Sequence, residues 1–309
     1  MTEMQMDSGA AEEHWFQGKD LDVLIYKVNR RPLSADLSLF EPPASPIRHL
    51  YEVLLEQRRP VVSGRRYQRE WRVGNLNLDE DAGTITGLIG WSRSDASLTS
   101  VWDEESKSWR ERVVAADTSA VSPFVFQADR RYLGVLKHPS FREHTLNWVF
   151  TEILNRAEMA RAVPLVQWAV EPVGDEREFN NWLDSVDQVV ELRFTFERPN
   201  PDAEKAFEQL FERLDSLEAE KIREVITARD RQVGLDKQAV KNDPTTQGFI
   251  RAAMSAFGFV IGKAFRNGKK VQYDQRDQVL RERVDDVSPT VAGAIQDVEG
   301  AVRQASGRK

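Results

Sequence analysis

Two groups of basic residues are the first feature of this 309-residue sequence that could do chemistry. The first basic cluster consists of Arg65, Arg66, Arg69 and Arg72, and the second consists of Lys263, Arg266, Lys269 and Lys270. Guanidinium forks suit phosphates, and aromatic rings such as those of Tyr67 and Trp71 in the first cluster can stack on exposed bases. The clusters therefore predict a nucleic acid as partner. Binding is expected at local patches, because the net charge of −7 opposes attraction by the whole surface.

The basic residues also have a simpler interpretation. Lysine and arginine are common on solvated sheet faces, where their stems cover apolar surface, and on edge strands, where their charges oppose aggregation. The nucleic-acid hypothesis therefore requires that the two clusters meet on one surface of the fold.

The segment from His138 to His144 places two imidazoles and the carboxylate of Glu143 at the start of a predicted helix. Such groups could hold a metal or act on an anion. The spacing differs from the HExxH arrangement, and Ser140 with Glu143 fits a capping box, which is a sufficient structural explanation. The catalytic candidates are His144, Glu143 and His138, and whether the protein is an enzyme stays open.

Acidic residues gather in predicted turns such as Asp79–Asp81 and Asp103–Glu105. Carboxylates of this kind bind Mg²⁺, and Glu105 with Lys107 has the Glu-x-Lys spacing of one large nuclease superfamily. In those enzymes the motif lies on a central strand, whereas here it falls in a turn. A metal-dependent nuclease acting as a toxic effector, with Mg²⁺ as cofactor, is thus an alternative. No other cofactor is expected and no metal site is assigned.

The composition excludes several kinds of site. The chain has no cysteine, which excludes thiol nucleophiles, zinc–thiolate sites, iron–sulfur clusters and disulfides. It has no apolar run near the ~20 residues that span a bilayer, and it does not begin with a secretory signal. We therefore expect a cytoplasmic protein without a membrane partner.

The elements that must position these residues predict an α+β fold. A strand over Leu21–Val28 precedes a helix capped by Ser45. Between Arg65 and Lys137 the apolar residues alternate, with tight turns, and four tryptophans lie among them. This pattern predicts a tryptophan-rich antiparallel meander, including hairpins of Leu98–Asp103 with Trp109–Ala115 and of Ser122–Ala128 with Arg131–Lys137.

In the second half, strands and helices alternate. The predicted order is a helix from Ser140, a strand over Val163–Glu171, a helix over Asp175–Val186, a strand over Val189–Glu197 and a helix from Asn200. This order predicts a βαβα layer of the ferredoxin-like or split type. A further helix is predicted over Glu218–Arg229 and another over Phe249–Phe257, and Asn267-Gly268 predicts a closing hairpin.

These elements divide the chain into four regions. Residues 1–20 are predicted to be a disordered tail, 21–138 a β-rich meander region with one helix, 139–287 an α/β region with the hairpin, and 288–309 a helical or frayed tail.

The stretch Val190–Asp202, together with Gly258–Gly262 and the Asn267-Gly268 turn, resembles an uncharacterised bacterial family. Its members occur among the accessory genes of mobile elements and in phage-defence neighbourhoods, and the resemblance covers the second half of the chain. It implies a component of an anti-phage defence or mobile-element system and supplies no catalytic residue. A third function stays open, that of a protein-interaction subunit in a homo-oligomer or with an operon-encoded partner.

Overall fold

The computed structural model of the protein describes residues 21–33, 45–57, 60–63, 68–103, 108–164, 166–197 and 207–307. Its strands are β1 (Leu21–Pro32), β2 (Val61–Ser63), β3 (Arg69–Asp79), β4 (Thr84–Asp103), β5 (Ser108–Gln127), β6 (Tyr132–Leu136), β7 (Val166–Pro172), β8 (Gln188–Glu197), β9 (Lys221–Thr227), β10 (Gly258–Arg266), β11 (Lys269–Asp274) and β12 (Leu280–Val284). Its α-helices are α1 (Pro46–Leu55), α2 (Glu143–Met159), α3 (Glu176–Ser185), α4 (Glu208–Ser216), α5 (Lys237–Asn242), α6 (Pro244–Met254) and α7 (Val291–Gly307). The strands form two sheets, which confirms the predicted α+β class.

The first sheet contains eight strands in the order β12-β1-β6-β5-β4-β3-β2, and β7 also pairs with β1. Strands β3 to β6 are consecutive antiparallel neighbours, which confirms the predicted meander. The register pairs Trp102 with Trp109, as the predicted hairpin requires. The register of β3 against β4 shifts between Gly74 and Asn77, at the glycine where the apolar alternation changes phase.

Strand β7 does not belong to the sheet that the sequence predicts for it. It pairs with Tyr26–Pro32 of β1, whereas β8 lies in the second sheet, so the βαβα order does not build a single layer. The reason is the length of β1. Because β12 pairs only with Leu21–Ile25, the rest of that edge is open to β7.

The second sheet has four antiparallel strands in the order β11-β10-β8-β9. The Asn267-Gly268 hairpin is confirmed, since both residues have the positive φ, 51° and 71°, that a type I′ turn requires. The helix predicted over Glu218–Arg229 is wrong, because β9 occupies this stretch. Burial alternates along this strand, with Ile222 buried and Ile226 half-buried on one face and exposed residues on the other, and the backbone of the strand pairs with β8.

Two helix starts also differ from their predictions. Helix α2 begins at Glu143 with Arg142 as N-cap, so the capping box of Ser140 and Glu143 is wrong. The hydroxyl of Ser140 instead lies 2.7 Å from Nδ1 of His138. Helix α6 begins at Pro244, ahead of the predicted Phe249, because Asp243 caps it through the Thr246 N–H at 2.7 Å.

The central strands of the first sheet are covered on both faces. Leu24 and Tyr26 of β1 belong to a core with α1 and α2, whereas Val23 and Ile25 belong to a second core with α7. The C-terminal tail, predicted to be helical or frayed, contains a packed 17-residue helix. Strands β7 and β12 also lie in the first sheet, while the four-region division of the chain stays a prediction. Residues 1–20 and the predicted helix start at Asn200 lie outside the described residues.

Candidate nucleic-acid interface

The second sheet has one face covered by helices and one face open to solvent. Along β10, Val260 and Ala264 are buried in a core with Phe249 and other helix residues, whereas the intervening Lys263 keeps 47% of its side chain exposed. Alternate residues of a strand point to opposite faces. We define the outer face as Glu191, Arg193, Thr195, Arg223, Val225, Thr227, Phe259, Ile261, Lys263, Phe265, Lys270, Gln272 and Asp274.

An ionic group lies at the centre of this outer face. Lys263 pairs with Glu191 across β10 and β8, with Nζ 2.9 Å from Oε1, and Arg193 reaches the same oxygen at 2.8 Å. The hydrogen bond from Lys263 is the main cause that lowers the pKa of Glu191. One carboxylate thus holds two cations side by side, with more positive than negative charge at the site.

A cavity of about 470 Å³ opens beside this group. Its polar lining includes Lys263, Lys270, Arg231 and Gln272, and the ring of Phe265 forms part of its wall. The register of β10 against β8 shifts between Lys263 and Ala264, so a β-bulge lies at the cavity. Bulges often re-aim side chains next to functional sites. Two residues of the second basic cluster, Lys263 and Lys270, therefore line one cavity.

The other two residues of the second basic cluster have different positions. The guanidinium of Arg266 donates to the hydroxyl of Ser185 at the end of α3, and the N–H of Asn267 donates to Asp187 at 2.6 Å. These bonds fasten the turn to the loop between α3 and β8. Lys269 is exposed beside the turn.

The described residues of the first basic cluster lie on the first sheet. Arg65 and Arg66 fall outside the described residues, whereas Arg69 and Arg72 lie on β3. Arg69 donates to the carbonyl of Ser140 at 3.0 Å and lies 4.2 Å above the ring of Trp91. Arg72 pairs with Glu70 at 3.2 Å.

Arg69 of the first basic cluster also lies toward the end of the second sheet that is opposite the Asn267-Gly268 turn. Strand β11 extends for roughly 17 Å, at about 3.4 Å per residue step, from the turn side at Lys269 to Asp274. Beyond Asp274, residues Arg276 and Asp277 share a surface pocket with the start of α2, the region that Arg69 contacts through Ser140.

Trp71 of the first cluster is a core residue. Its side chain is fully buried and its indole N–H donates to the hydroxyl of Ser63 at 2.8 Å. It therefore offers no ring face to a base.

The segment from His138 to His144 is assembled only in part. Glu143 and His144 line one pocket of about 370 Å³, but the carboxylate of Glu143 pairs with Lys137 at 3.1 Å and Arg281 at 2.9 Å. His138 accepts a hydrogen bond from the N–H of Ser140 at 3.1 Å, and burial lowers its pKa. Glu143 thus serves as an ion-pair centre, with two cations rather than a histidine as its partners.

The predicted acidic sites do not form a metal centre in the part of the chain that is described. There, no three His, Asp or Glu side chains approach closely enough to hold a metal ion. Glu105 and Lys107 of the nuclease-like motif lie outside the described residues. In the described part of the chain, no helix has both the length and the apolar character needed to cross a membrane.

Sequence reasoning missed several residues of the outer face, among them Arg193, Arg223, Arg231 and Phe265. A signal was present on β10, where Ile261 and Phe265 flank Lys263 at two-residue spacing while Val260 and Ala264 fill the alternate positions. When a strand carries apolar residues on both faces and helices cover only one of them, the apolar residues on the other face require a separate explanation. The residues of β8 and β9 that lie beside those of β10 can be identified only from the strand register, which cannot be derived from the sequence.

The comparisons with known proteins give a family and no activity. No curated protein matches the sequence. The profile of one family, described as "Domain of unknown function (DUF4747)", matches residues 95–294, which is more than half of the chain and includes the whole second sheet. The resemblance to an uncharacterised family is confirmed to that extent. The chain therefore belongs to the DUF4747 family.

Proposed function

We propose that the protein binds nucleic acid through the outer face of its second sheet alone. Arg69 and Arg72 of the first basic cluster lie on the first sheet, so the surface shared by both clusters that was expected from the sequence is not part of this proposal. The observation that carries the proposal is the combination on β10 of an exposed ammonium group, Lys263, between the half-buried apolar side chains of Ile261 and Phe265. Phosphates require cations and bases require flat apolar partners. This face offers both within a few residues.

The charge of the outer face favours a polyanion. Lys263, Lys270 and Arg231 line the cavity together with the carboxylate of Glu191, which Arg193 also contacts. A second acid of this face, Asp274, pairs with Arg276 at 2.6 Å. The chain as a whole has a net charge of −7, so this concentration of cations departs from the average of the surface. A local patch of this kind attracts phosphates at short range, while salt screens the repulsion between the phosphates and more distant acids.

The proposed setting is a bacterial anti-phage defence or mobile-element system in the cytoplasm. It rests on the family resemblance carried by Val190–Asp202, Gly258–Gly262 and the Asn267-Gly268 turn. Two of these three segments lie on β10 or at its hairpin turn, next to the outer face. The proposed role is binding without a chemical step, and it needs no metal or other cofactor.

One backbone feature favours the protein-interaction alternative as a second candidate. Strands β4 and β5 pair with each other up to Asp103 and Ser108, whereas β3 pairs with β4 only as far as Ser92. A two-stranded ribbon is marginally stable alone, and within the described ranges no further strand pairs with this part of β4 and β5, so a second protein chain is its expected partner. Light scattering of the full chain, against a variant in which 94–117 are replaced by Asn-Gly, tests this. A larger mass for the full chain alone supports it, and equal monomeric masses reject it.

The test of the main proposal is binding of fluorescein-labelled 30-nucleotide DNA and RNA by fluorescence anisotropy at several salt concentrations. The double variant Lys263→Glu/Lys270→Glu should lose roughly 100-fold in affinity. The slope of its log affinity against log salt concentration should decrease by the amount expected for about two phosphate contacts. The matched control is Arg156→Glu/Arg303→Glu, which changes the net charge equally at two exposed helix positions.

The control variant should bind within about threefold of the wild type, since its charges lie far from the contact and are screened. The proposal fails if the wild type binds neither DNA nor RNA, if its binding does not respond to salt, or if the control loses as much affinity as the Lys263→Glu/Lys270→Glu variant.

A further inference from the structure

We infer that the outer face takes an unpaired strand, RNA or DNA, with a base stacked on Phe265, rather than a duplex. This inference rests on the proposed function and adds the class of nucleic acid. Its first support is the chemistry of β10. In a duplex the bases stack on each other and phosphates form the outside, so Phe265 and Ile261 would meet charged groups only. An unpaired base has a π-face to offer to a ring.

The shape of the second sheet is a further support. Duplex DNA is commonly read by a helix or a two-stranded ribbon that enters the major groove, which is about 12 Å wide. The four strands of the second sheet extend over about 14 Å between the axes of β11 and β9, at about 4.8 Å per strand, so the face is too broad for the groove.

The hairpin turn is narrow enough to enter a groove, but hydrogen bonds hold it against a neighbouring loop. Arg266 donates to Ser185 and the N–H of Asn267 donates to Asp187 at 2.6 Å, so the turn lies against the loop between α3 and β8. A turn that is held against a neighbouring loop is less free to enter a groove. This geometry disfavours the hairpin as a duplex reader.

The cavity beside Phe265 suits an unpaired nucleotide. Its volume of about 470 Å³ falls within the range of about 300–1,000 Å³ typical of small-ligand sites. Gln272 and Thr227 supply donors and acceptors for the edge of a base, while Lys270 and Arg231 supply positive charge for the flanking phosphates. A duplex conceals the Watson–Crick edges of its bases within its pairs, so only a single strand can present those edges to Gln272 and Thr227.

Phe259 provides a matched control for the stacking role. It lies on the same face of the same strand as Phe265, but the guanidinium of Arg276 covers its ring at 4.4 Å. The ring of Phe259 is therefore already occupied. Replacement of either phenylalanine by leucine keeps an apolar side chain and removes the π-face.

The experiment compares labelled 20-nucleotide oligo(dT) and oligo(U) with a mixed-sequence DNA duplex of equal length. The wild type should bind the single strands at least roughly tenfold more tightly than the duplex. Phe265→Leu should weaken single-strand binding roughly five- to fiftyfold and leave duplex binding unchanged, whereas Phe259→Leu should stay within about twofold for both. Circular dichroism melting confirms that each variant is folded.

The outcomes separate the inference from the proposed function. Equal or tighter binding of the duplex by the wild type overturns the single-strand inference and leaves the proposed function standing. Single-strand preference that survives Phe265→Leu but is lost in Lys263→Glu/Lys270→Glu overturns the stacking role. Absence of binding to every probe overturns the proposed function and the inference with it.

Discussion

The two sheets of this protein differ in how much of their surface is covered. On β1 of the first sheet, the adjacent residues Val23 and Leu24 are both fully buried, because helices lie on both faces. On β10 of the second sheet, Val260 is fully buried but Lys263 stays largely exposed. The central strands of the first sheet have no face left for a macromolecule, whereas the second sheet can use its outer face while its core stays intact.

The largest expected effect comes from introducing a lysine at a buried position against the first sheet, compared with a lysine at an exposed position on the outer face of the second sheet. Val298 of α7 is fully buried against the first sheet, so Val298→Lys should lower the free energy of unfolding by about 4 kcal/mol or more. Val225 on the outer face is 52% exposed, and Val225→Lys should change it by less than about 0.5 kcal/mol.

Urea denaturation of the two variants and the wild type measures this difference. The same Val225→Lys protein should bind nucleic acid at least as tightly as the wild type, because it adds a cation to the outer face. Similar destabilisation by both substitutions would show that the outer face is covered in solution, which contradicts the comparison.

A smaller effect is expected from releasing the cations of the outer face. Glu191→Gln removes the carboxylate that holds Lys263 and Arg193, so affinity for oligo(dT) should rise roughly three- to tenfold with little change in stability. Glu299→Gln is the control, since it removes the same charge beside Arg303 on α7 and should leave affinity unchanged. Weaker binding by Glu191→Gln would indicate that the carboxylate itself contacts the ligand.

The smallest effect concerns the junction of the two sheets and its dependence on pH. Oε2 of Glu171 accepts a hydrogen bond from Asn29 at 2.8 Å, and burial raises the pKa of Glu171. A raised carboxyl pKa means that the folded state binds the proton more tightly than the unfolded state. Stability is therefore gained as the pH falls through the folded pKa and lost as it rises. Glu171→Gln should raise the melting temperature at pH 8, with a smaller gain near pH 5.

Glu197, at the same junction, provides the opposite case. Burial would raise its pKa, but hydrogen bonds from Lys221 and Arg31 outweigh burial and lower it. Its contribution to stability is present above the unfolded pKa and is lost as the pH falls through the folded pKa. Glu197→Gln should therefore lower the melting temperature at pH 8. Equal signs for Glu171→Gln and Glu197→Gln would refute this assignment.

Local signals predicted much of the fold. The Asn267-Gly268 turn, the Ser45 cap of α1 and the alternation of β3 and β4 each depend on residues close in sequence, and each is found in the structure. The partner of β7 could not be predicted in this way, because it depends on how much of β1 is left open by β12, far along the chain.

The candidate site was predictable only in part, for the same reason. Lys263 and Lys270 were identified by charge, but the outer face joins them to Arg193 and Thr227 through pairing between strands distant in sequence. Arg72 was identified by the same rule of charge, and it is paired with Glu70 on the other sheet. A charge count cannot distinguish these cases, since exposure and partners are set by the fold.

The central claim is tested most directly by photo-crosslinking the full chain to a 20-nucleotide oligo(U) that contains 4-thiouridine, with the attached peptides identified by mass spectrometry. The account predicts crosslinks to peptides of β10 and β11, within residues 258–274, with Phe265 among the modified residues. Crosslinks concentrated on β3 and the residues before it, where the first basic cluster lies, would contradict it.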